Sequence, residues 1–277
     1  MDPQRKRHAF GQHFLKDPRI CNAIVEAALN DAHTFGCKTL LEIGPGRGAI
    51  TDLLIERQRS EPGKYSFILV EKDRDLAAGW RESQPGVTVE CADFLRLPEE
   101  RWISSPPVAV VSNLPYSAGT AIVIALAKHP DKIPTMTLMF QAEVAQRLYA
   151  QPGTKSWGSL SIWIQNRWDV KRLLHVPPGA FHPRPKVNSE VVSFHPRKEP
   201  RIVIAPTAKA DQHWDKLLKV CFLHRRKMLR SALPKNSIWS RALEKSGIDP
   251  TLRAEALSWE NWEQLYRASL AGSDNVG

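Results

Sequence analysis

Short apolar runs alternate with segments of helical spacing along the first half of this 277-residue chain, and this alternation narrows the possible folds most. The apolar runs cover residues 39–43, 67–70, 87–91, 108–111 and 136–140, and helical patterns begin near residues 18, 49, 74, 120 and 142. Strands that alternate with helices in this way form βαβ units. The sequence therefore predicts an α/β fold with a mostly parallel, doubly wound sheet.

The rest of the chain changes character in two steps. Residues 170–176 and 190–195 are extended runs joined by the proline-rich stretch VPPGAFHPRPKVNS, and they predict an antiparallel hairpin at the sheet edge. Helical spacing then recurs over residues 213–222, 225–233, 237–246 and 259–270. We expect an α/β domain over residues 1–205 and a small all-helical domain over residues 206–277.

The charge of the chain points to an acidic partner. The formal net charge is +10, and residues 196–277 contain 15 Lys and Arg against 9 Asp and Glu. A basic balance of this kind favours binding to the phosphate backbone of a nucleic acid, although basic surfaces also occur on proteins without acidic partners. The polyanion that we expect is RNA or DNA.

The sequence also indicates where the protein works. It has no apolar run long enough for a membrane span, and its first residues lack the apolar region of a signal peptide, so we expect a cytoplasmic protein. The four cysteines are far apart and include no CxxC pair. Free buried thiols are therefore expected rather than disulfides, and we expect no metal site.

A glycine-rich turn follows the first apolar run of the alternating region. LEIGPGRGAIT places Gly44, Gly46 and Gly48 between a strand and a helix. Glycine lets the backbone approach a ligand closely, and a helix N-terminus favours an anionic group. Nucleotide oxidoreductases, methyltransferases and ordinary tight turns all share such a pattern, and the spacing differs from the GxGxxG of dinucleotide-binding folds.

Polar side chains follow the next two strands at the same predicted edge. VEKD places Glu71 and Lys72 after the second strand, where a carboxylate can accept hydrogen bonds from ribose hydroxyls. CADFL places Asp93 where it can accept from an adenine amine, with Phe94 beside it to cover the base. A surface Glu and an exposed turn Asp are the alternatives. Ligands bind at this edge of open α/β sheets, so the conjunction predicts a cofactor site.

The fourth strand ends in SNLPY, which suits a planar base bearing an amine. Asn113 offers an amide oxygen, and Pro115 fixes the backbone so that nearby carbonyl groups point outward. Tyr116 offers a flat ring on which a base can stack. A turn with a partly buried tyrosine would explain the ring and the proline, but not the acceptors beside a cofactor pocket.

Taken together, these stretches resemble the small-subunit ribosomal RNA adenine dimethyltransferases, the kasugamycin-sensitivity family. The similarity covers nearly the whole chain and rests on FGQHFLKD, LEIGPGRG, VEKD, ADFL, NLPY, MFQAEVAQRL, GSLSIWIQ, AFHPRPKVNS, FLHRRKMLRSAL and GIDPTLRAEALS. It implies a class I methyltransferase fold, S-adenosylmethionine as cofactor, and dimethylation of two adjacent adenines near the 3′ end of small-subunit rRNA during maturation of the small ribosomal subunit. It implies a monomer that acts in the cytoplasm.

The resemblance also assigns roles to residues. It implies that His13, Leu15, Gly44, Glu71, Asp93 and Asn113 line the cofactor site, and that Phe181 faces Tyr116 across the target adenine. The side chain of Asn113 and the backbone carbonyl of Leu114 would hold the amine hydrogens. One position departs from the family, because QHFL stands where the family usually has QNFL, and His13 replaces the asparagine.

Two other functions remain open from the sequence. One is the activity of the related large-subunit rRNA adenine methyltransferases of macrolide resistance, which HRRKMLRSAL and the LPY form of the tetrapeptide NLPY disfavour. The other is that of an RNA-binding assembly or transcription factor, which the intact Glu71, Asp93 and Asn113 disfavour. A small-molecule methyltransferase does not need the basic helical domain.

In that domain Arg225, Arg226, Lys227 and Arg230 are predicted to contact rRNA phosphates, although they could instead form a solvated helix face.

Overall fold

A computed structural model describes residues 13–59 and 63–271 of the chain. Residues 1–12, 60–62 and 272–277 lie outside the described residues. They include residues 10–12, which begin the FGQHFLKD stretch, the start of the first predicted domain and the end of the second. The described residues contain nine strands: β1 (Phe14–Leu15), β2 (Thr39–Ile43), β3 (Ser66–Glu71), β4 (Thr88–Cys91), β5 (Val108–Asn113), β6 (Thr135–Gln141), β7 (Trp168–Val176), β8 (Phe181–His182) and β9 (Ser189–Pro196).

Seven of these strands form one mixed sheet, in the order β4-β3-β2-β5-β6-β9-β7. Strands β2 to β6 pair in parallel, whereas β9 is antiparallel to both β6 and β7. The remaining strands, β1 and β8, form a separate antiparallel pair in which Leu15 lies opposite Phe181. The parallel strands all deliver their carboxyl ends to the same edge, which is where the polar segments predicted from the sequence lie.

The helices occupy the intervals between the strands and most of the region after β9. They are α1 (Pro18–Thr34), α2 (Thr51–Gln58), α3 (Arg74–Ser83), α4 (Gly119–Leu126), α5 (Ala142–Leu148), α6 (Ser159–Arg167), α7 (Ala208–Leu223), α8 (Leu229–Ala232), α9 (Ile238–Ser246) and α10 (Trp259–Leu270). Short 3₁₀ turns cover Phe94–Arg96, Glu99–Arg101, Pro178–Ala180 and Ala254–Ala256. No helix among the described residues is both long and apolar enough to cross a bilayer.

Local signals explain why several helices begin and end where they do. The Asp17 carboxylate accepts hydrogen bonds from the backbone amides of Arg19 and Ile20 at the start of α1, as expected for an N-cap. Ser237 caps α9, and Gly247 ends that helix in the left-handed conformation with φ of 72°. The strands predicted in the first half of the chain and the antiparallel hairpin at the sheet edge are confirmed.

One predicted helix is wrong. Residues 225–233 carry helical spacing, but the structure has only the single turn α8 within that range. The backbone amides of Leu229 and Arg230 donate to the carbonyl oxygens of Leu252 and Pro250 instead of extending a helix from α7. Tertiary hydrogen bonds therefore override the local spacing.

The described residues divide into two compact units, and both are discontinuous in sequence. Within the described residues, the first comprises 13–59, 63–145 and 168–196, and the second comprises 146–167 and 197–271. The core of the first unit packs α1 and α2 against the central strands and includes Ile24, Leu40 and Val111. The predicted functional domains, residues 1–205 and 206–277, are divided at a different place in the chain and stay a prediction.

The second unit has a core of its own, rich in tryptophan. Trp157, just before α6, and Ile162, on α6, pack with Trp214 of α7 and Trp262 of α10. The Trp214 and Trp262 rings meet edge to face, with centroids 6.3 Å apart. The short segment of residues 146–167 is thus built into the hydrophobic core that the helices after β9 form.

Candidate active site

A cavity of about 890 Å³ opens at the carboxyl ends of the parallel strands in the first unit. It is large enough for a ligand of nucleoside size. Most of the residues predicted for the cofactor and the target base line it: His13, Leu15, Gly44, Gly46, Glu71, Lys72, Asp93, Phe94, Asn113, Leu114 and Tyr116. Phe181 does not. The edge predicted from the sequence is therefore a single concave site.

The glycine turn after β2 is held by the residue at the end of β3. The backbone amide of Gly46 donates to the Glu71 carboxylate at 3.1 Å, and Glu71 also accepts from the amide of Asp73 at 2.8 Å. Gly46 has φ of 57°, and a Cβ there would lie 3.2 Å from the Phe14 ring. Glycine thus permits both the backbone conformation and the close approach of β1 to the turn.

Burial controls the charge of Glu71. Its side chain is only 3% exposed, and this desolvation raises the pKa of the carboxyl, although hydrogen bonds from the amides of Asp73 and Gly46 partly offset the rise. Each carboxylate oxygen accepts one backbone hydrogen bond and keeps a second lone pair. Glu71 is therefore fixed in position and can still accept a hydrogen bond from a ligand hydroxyl.

Asp93 lies in the opposite electrostatic situation. Its Oδ2 accepts a hydrogen bond from the Lys72 ammonium at 2.9 Å, and its Oδ1 accepts from the amide of Leu95 at 3.2 Å. The hydrogen bond from Lys72 lowers the pKa of Asp93, so the carboxylate stays ionised near neutral pH. Lys72, predicted as a cofactor residue, lines the cavity and holds Asp93 at its edge. Phe94 also lines the cavity, packed against Trp102.

The end of β5 presents two oxygen acceptors. The Nδ2 of Asn113 donates to the backbone carbonyl of His13 at 3.3 Å, which orients the amide so that Oδ1 stays available. The carbonyl oxygen of Pro115 is occupied by the amides of Ala118 and Gly119 at the start of α4. Among the described residues, no group donates to the carbonyl of Leu114. Two neighbouring acceptors, one amide and one backbone carbonyl, thus remain for a ligand amine.

Tyr116 lies next to these acceptors and is held at its hydroxyl end. The hydroxyl group is 2.6 Å from Oγ of Ser189, the first residue of β9, and burial raises the pKa of the phenol. The imidazole of His13 packs against the Tyr116 ring. His13 is fixed in turn, because its Nδ1 donates to the carbonyl of Pro183 at 2.8 Å. The Tyr116 ring is therefore held in place by Ser189 and His13.

Phe181 lies in the core of the first unit. The resemblance implies that it faces Tyr116 across the target base, whereas the structure buries its ring to 2% exposure, with Leu15 opposite in the β1–β8 pair. Successive side chains of a strand point to opposite sides, so burial of Phe181 turns the next residue, His182, toward the cavity. The Phe181 ring does not line the cavity, and its place across the base from Tyr116 stays a prediction.

Comparison with known proteins shows the family to which the chain belongs. A family model for ribosomal RNA adenine dimethylase matches residues 3–269. The chain belongs to this family. Over 266 residues it is 38% identical to ribosomal RNA small subunit methyltransferase A of Syntrophotalea carbinolica, covering 94% of this chain and 96% of the relative. The protein of that name from Saccharophagus degradans is 40% identical over 276 residues, with coverage of 96% and 95%.

A solved structure agrees with the fold. A dimethyladenosine transferase from Plasmodium falciparum superposes with a TM-score of 0.70 at 21% identity, over 91% of this chain and 96% of that one. The predicted fold class, a class I methyltransferase sheet followed by a helical C-terminal region, is confirmed. As a member of the dimethylase family, the protein is an enzyme, an rRNA adenine dimethyltransferase.

The basic residues predicted to contact RNA do not form one helix face in this dimethylase. Arg225 is engaged within the second unit: its Nε donates to Glu255 at 2.8 Å, and its Nη2 donates to the carbonyl oxygen of Lys155 at 2.5 Å. By contrast, the side chains of Arg226, Lys227 and Arg230 are exposed on the turn between α7 and α8 and on α8. Three of the four predicted residues are thus placed to meet a polyanion.

Glu42 and His182 line the cavity but were not predicted from the sequence. Glu42 of β2 lines the cavity although it is 3% exposed, accepts a hydrogen bond from Thr51 Oγ1 at 2.6 Å, and has its pKa raised to about 8 by burial. A charged residue inside the apolar run LLEIG was the available signal. His182 also lines the cavity. No signal in the sequence indicated this, because the side chain of His182 faces the cavity only as a consequence of the burial of Phe181.

Proposed function

We propose that this cavity binds S-adenosylmethionine and that the enzyme dimethylates the exocyclic amines of two adjacent adenines near the 3′ end of small-subunit rRNA, as a step in maturation of the small ribosomal subunit. The observation that carries the proposal is the pair of unengaged acceptors, Asn113 Oδ1 and the Leu114 carbonyl, beside the Tyr116 ring in the same cavity as the Glu71 and Asp93 carboxylates. The names of the relatives supply the choice of small-subunit rRNA.

The residues of the cavity fit a nucleoside cofactor that carries an amino acid. The Glu71 carboxylate can accept from ribose hydroxyls, and the ionised Asp93 can accept from an adenine amine with Phe94 beside the base. The glycine turn, His13 and Leu15 line the neighbouring wall of the cavity. When bound, S-adenosylmethionine supplies an electrophilic methyl group, and this is its only contribution to the chemistry.

The protein has to make a poor nucleophile reactive. The lone pair of the adenine amine is delocalised into the ring, and acceptors on both amine hydrogens favour a pyramidal nitrogen with a localised lone pair. Asn113 Oδ1 and the Leu114 carbonyl accept these two hydrogens, and they stabilise the positive charge that develops on the nitrogen. Their orientation is set beforehand, because Asn113 Nδ2 is engaged by His13 and Leu114 adjoins the fixed Pro115.

The Tyr116 ring positions the target base for this reaction. Stacking on an aromatic ring is worth about 1–3 kcal/mol per base and does not depend on sequence. The amine of a paired adenine is unreachable, so the target must be single-stranded or flipped out of its helix. Phe181 could join the stack only if its buried ring moved out of the core, so its predicted role stays a prediction.

The exposed cations of the second unit supply affinity for rRNA. Arg226, Lys227 and Arg230 would neutralise phosphates, and the release of counterions makes such binding strongly dependent on salt. We propose that the enzyme acts as a monomer on the immature small ribosomal subunit in the cytoplasm. The net charge of +10 suits this partner.

The decisive experiment incubates the purified enzyme and S-adenosylmethionine with small ribosomal subunits from a strain that lacks this methylation. Primer extension through the rRNA should show new stops at two adjacent adenines near the 3′ end, and an Asn113→Ala variant should produce none in the same time. Methylation of large subunits instead would assign the enzyme to the other rRNA. Binding of the subunits without any methyl transfer would assign it to assembly alone.

A further inference from the structure

The loop of residues 183–188, between β8 and β9, carries two exposed cations, Arg184 and Lys186. Residues 177–189 contain no acidic residue. Neither cation forms a hydrogen bond or an ion pair with another described residue. Some other cations of the first unit are paired, as Lys72 is with Asp93 and Lys132 is with Glu99. This loop, which we call the rim loop, therefore presents uncompensated positive charge.

The rim loop is anchored along its length. The carbonyl oxygen of Pro183 accepts the hydrogen bond from His13 Nδ1 at 2.8 Å, and that of Asn188 accepts one from the amide of Ala142 at 2.9 Å. Between these points the side chain of Pro185 is buried, while Arg184 and Lys186 on either side of it are exposed. The loop backbone is thus fixed in the free protein, so an anionic ligand would order only the two side chains.

The rim loop also begins and ends at the proposed base site. His182, the residue before it, lines the cavity, and Ser189, the residue after it, lies 2.6 Å from the Tyr116 hydroxyl. A nucleotide whose base lies on Tyr116 would therefore bring its backbone close to this loop. The charge on that backbone is one phosphate per nucleotide, opposite in sign to the charge of the loop.

We propose that Arg184 and Lys186 bind the RNA phosphates next to the target adenine, which makes the rim loop a second RNA contact, separate from the basic residues of the second unit. The inference rests on the proposed function for its ligand. Phosphate contacts of this kind fix the register of the nucleic acid without reading its sequence. The rim loop would accordingly hold the strand so that the amine reaches the acceptors at Asn113 and Leu114.

The test replaces both rim-loop cations in the full-length enzyme, as Arg184→Gln/Lys186→Gln. The control, Lys38→Gln/Lys128→Gln, removes two exposed lysines from the opposite edge of the sheet, where β2 begins and where α4 ends. The binding constant for a single-stranded RNA fragment with two adjacent adenines is measured over a series of salt concentrations. Loss of two phosphate contacts should reduce the slope of log K against log salt by about 1.4, whereas the control should retain the wild-type slope.

Further measurements separate the alternatives. The charge-preserving variant Arg184→Lys/Lys186→Arg should retain the wild-type slope, and S-adenosylmethionine should bind the Gln variant with a Kd within twofold of the wild-type value. An unchanged slope in the Gln variant overturns the proposal even when the wild-type enzyme methylates its rRNA. Weaker binding to intact subunits alone, with normal binding to the RNA fragment, would assign the loop to a ribosomal protein and also overturn it. Failure of the proposed function would show instead as no methyl transfer by the wild-type enzyme.

Discussion

The imidazole ring of His13 lies against the ring of Tyr116, with centroids 5.5 Å apart and planes inclined by 34°. His13 also links this tyrosine to two other parts of the site, since its Nδ1 donates to Pro183 and its carbonyl accepts from Asn113. The position that departs from the family pattern thus contacts the proposed base platform. The resemblance alone places it beside the cofactor.

Replacing His13 with the family residue should therefore affect the RNA side of the reaction. His13→Asn removes the ring contact and the hydrogen bond to Pro183, which together are worth about 1–2 kcal/mol. We expect KM for the rRNA substrate to rise about fivefold to twentyfold, and the Kd of S-adenosylmethionine to stay within twofold. Steady-state kinetics and calorimetry measure the two quantities. The opposite result, a changed cofactor Kd with normal KM, would support the cofactor contact that the resemblance implies.

Asn113→Ala should slow methyl transfer without weakening RNA binding. The Oδ1 acceptor acts mainly on the amine as it becomes pyramidal, so its loss lowers kcat by about a hundredfold or more. Single-turnover rates with saturating cofactor and substrate measure the effect. Ser117→Ala, a change at another residue of the cavity wall, is the control and should keep its rate within threefold. Normal turnover in Asn113→Ala would remove the acceptor from the mechanism.

Glu42 should make stability depend on pH. Burial raises the pKa of Glu42 to about 8 in the folded protein from an ordinary value of 4.5. Between these values the folded state binds more protons than the unfolded state, so the free energy of unfolding falls as pH rises, by about 1 kcal/mol per pH unit. Glu42→Gln keeps an acceptor for Thr51 and removes this dependence.

Urea denaturation of the ligand-free protein from pH 5.5 to 8.5 measures the effect of Glu42. The wild-type protein should lose stability relative to Glu42→Gln across this range, with the difference levelling off above pH 8. Other titrating groups are common to both proteins and cancel in the comparison. Parallel profiles would show that Glu42 is ionised throughout.

Gly48 should tolerate no side chain. Its φ is 90°, and a Cβ there would lie 2.8 Å from the Trp80 ring and 2.6 Å from the Asp52 carboxylate. We expect Gly48→Ala to lower the free energy of unfolding by about 2–3 kcal/mol. Gly79→Ala is the matched control within α3, because a Cβ at Gly79 meets nothing within 4 Å and should add up to about 1 kcal/mol of stability. Equal melting temperatures for the two variants would contradict the expectation.

Arg225 and Arg226 should separate a structural role from an RNA-binding one. Arg225→Ala loses the hydrogen bonds to Glu255 and Lys155, so we expect a loss of about 1–2 kcal/mol in unfolding free energy. Arg226→Ala should leave stability unchanged and reduce the salt slope of RNA binding by about 0.7. Urea denaturation and salt titrations test both. Equal effects of the two variants on the slope would show that Arg225 also contacts RNA.

The predictions from sequence succeeded where the physical signal is local. Strand periodicity depends on neighbouring residues, and the predicted strands are present in the structure. The caps at Asp17 and Gly247 are local in the same way. The cavity residues were predictable for a related reason, since parallel strands deliver the segments after them to one edge.

The features that the sequence did not reveal depend on a distant segment of the chain. The pairing of β8 with β1 buries Phe181 and exposes His182, and nothing within AFHPRP specifies that choice. Likewise, the loop of residues 249–253 takes the backbone hydrogen bonds that would have continued a helix through residue 229. The role of Arg225 depends on Glu255 and Lys155, both far from it in sequence.

The discontinuity of the two compact units sets an order of events during translation. Residues 146–167 leave the ribosome before the helices that cover Trp157 and Ile162 have been synthesised. The seven-stranded sheet, in contrast, is complete once β9 has emerged. During the synthesis of residues 197–271 the nascent chain therefore carries a finished sheet and a segment whose apolar side chains, Trp157 and Ile162, lack their partners, which is the kind of surface that chaperones bind. A protein fragment that ends at residue 205 would leave Trp157 and Ile162 permanently without the helices that cover them.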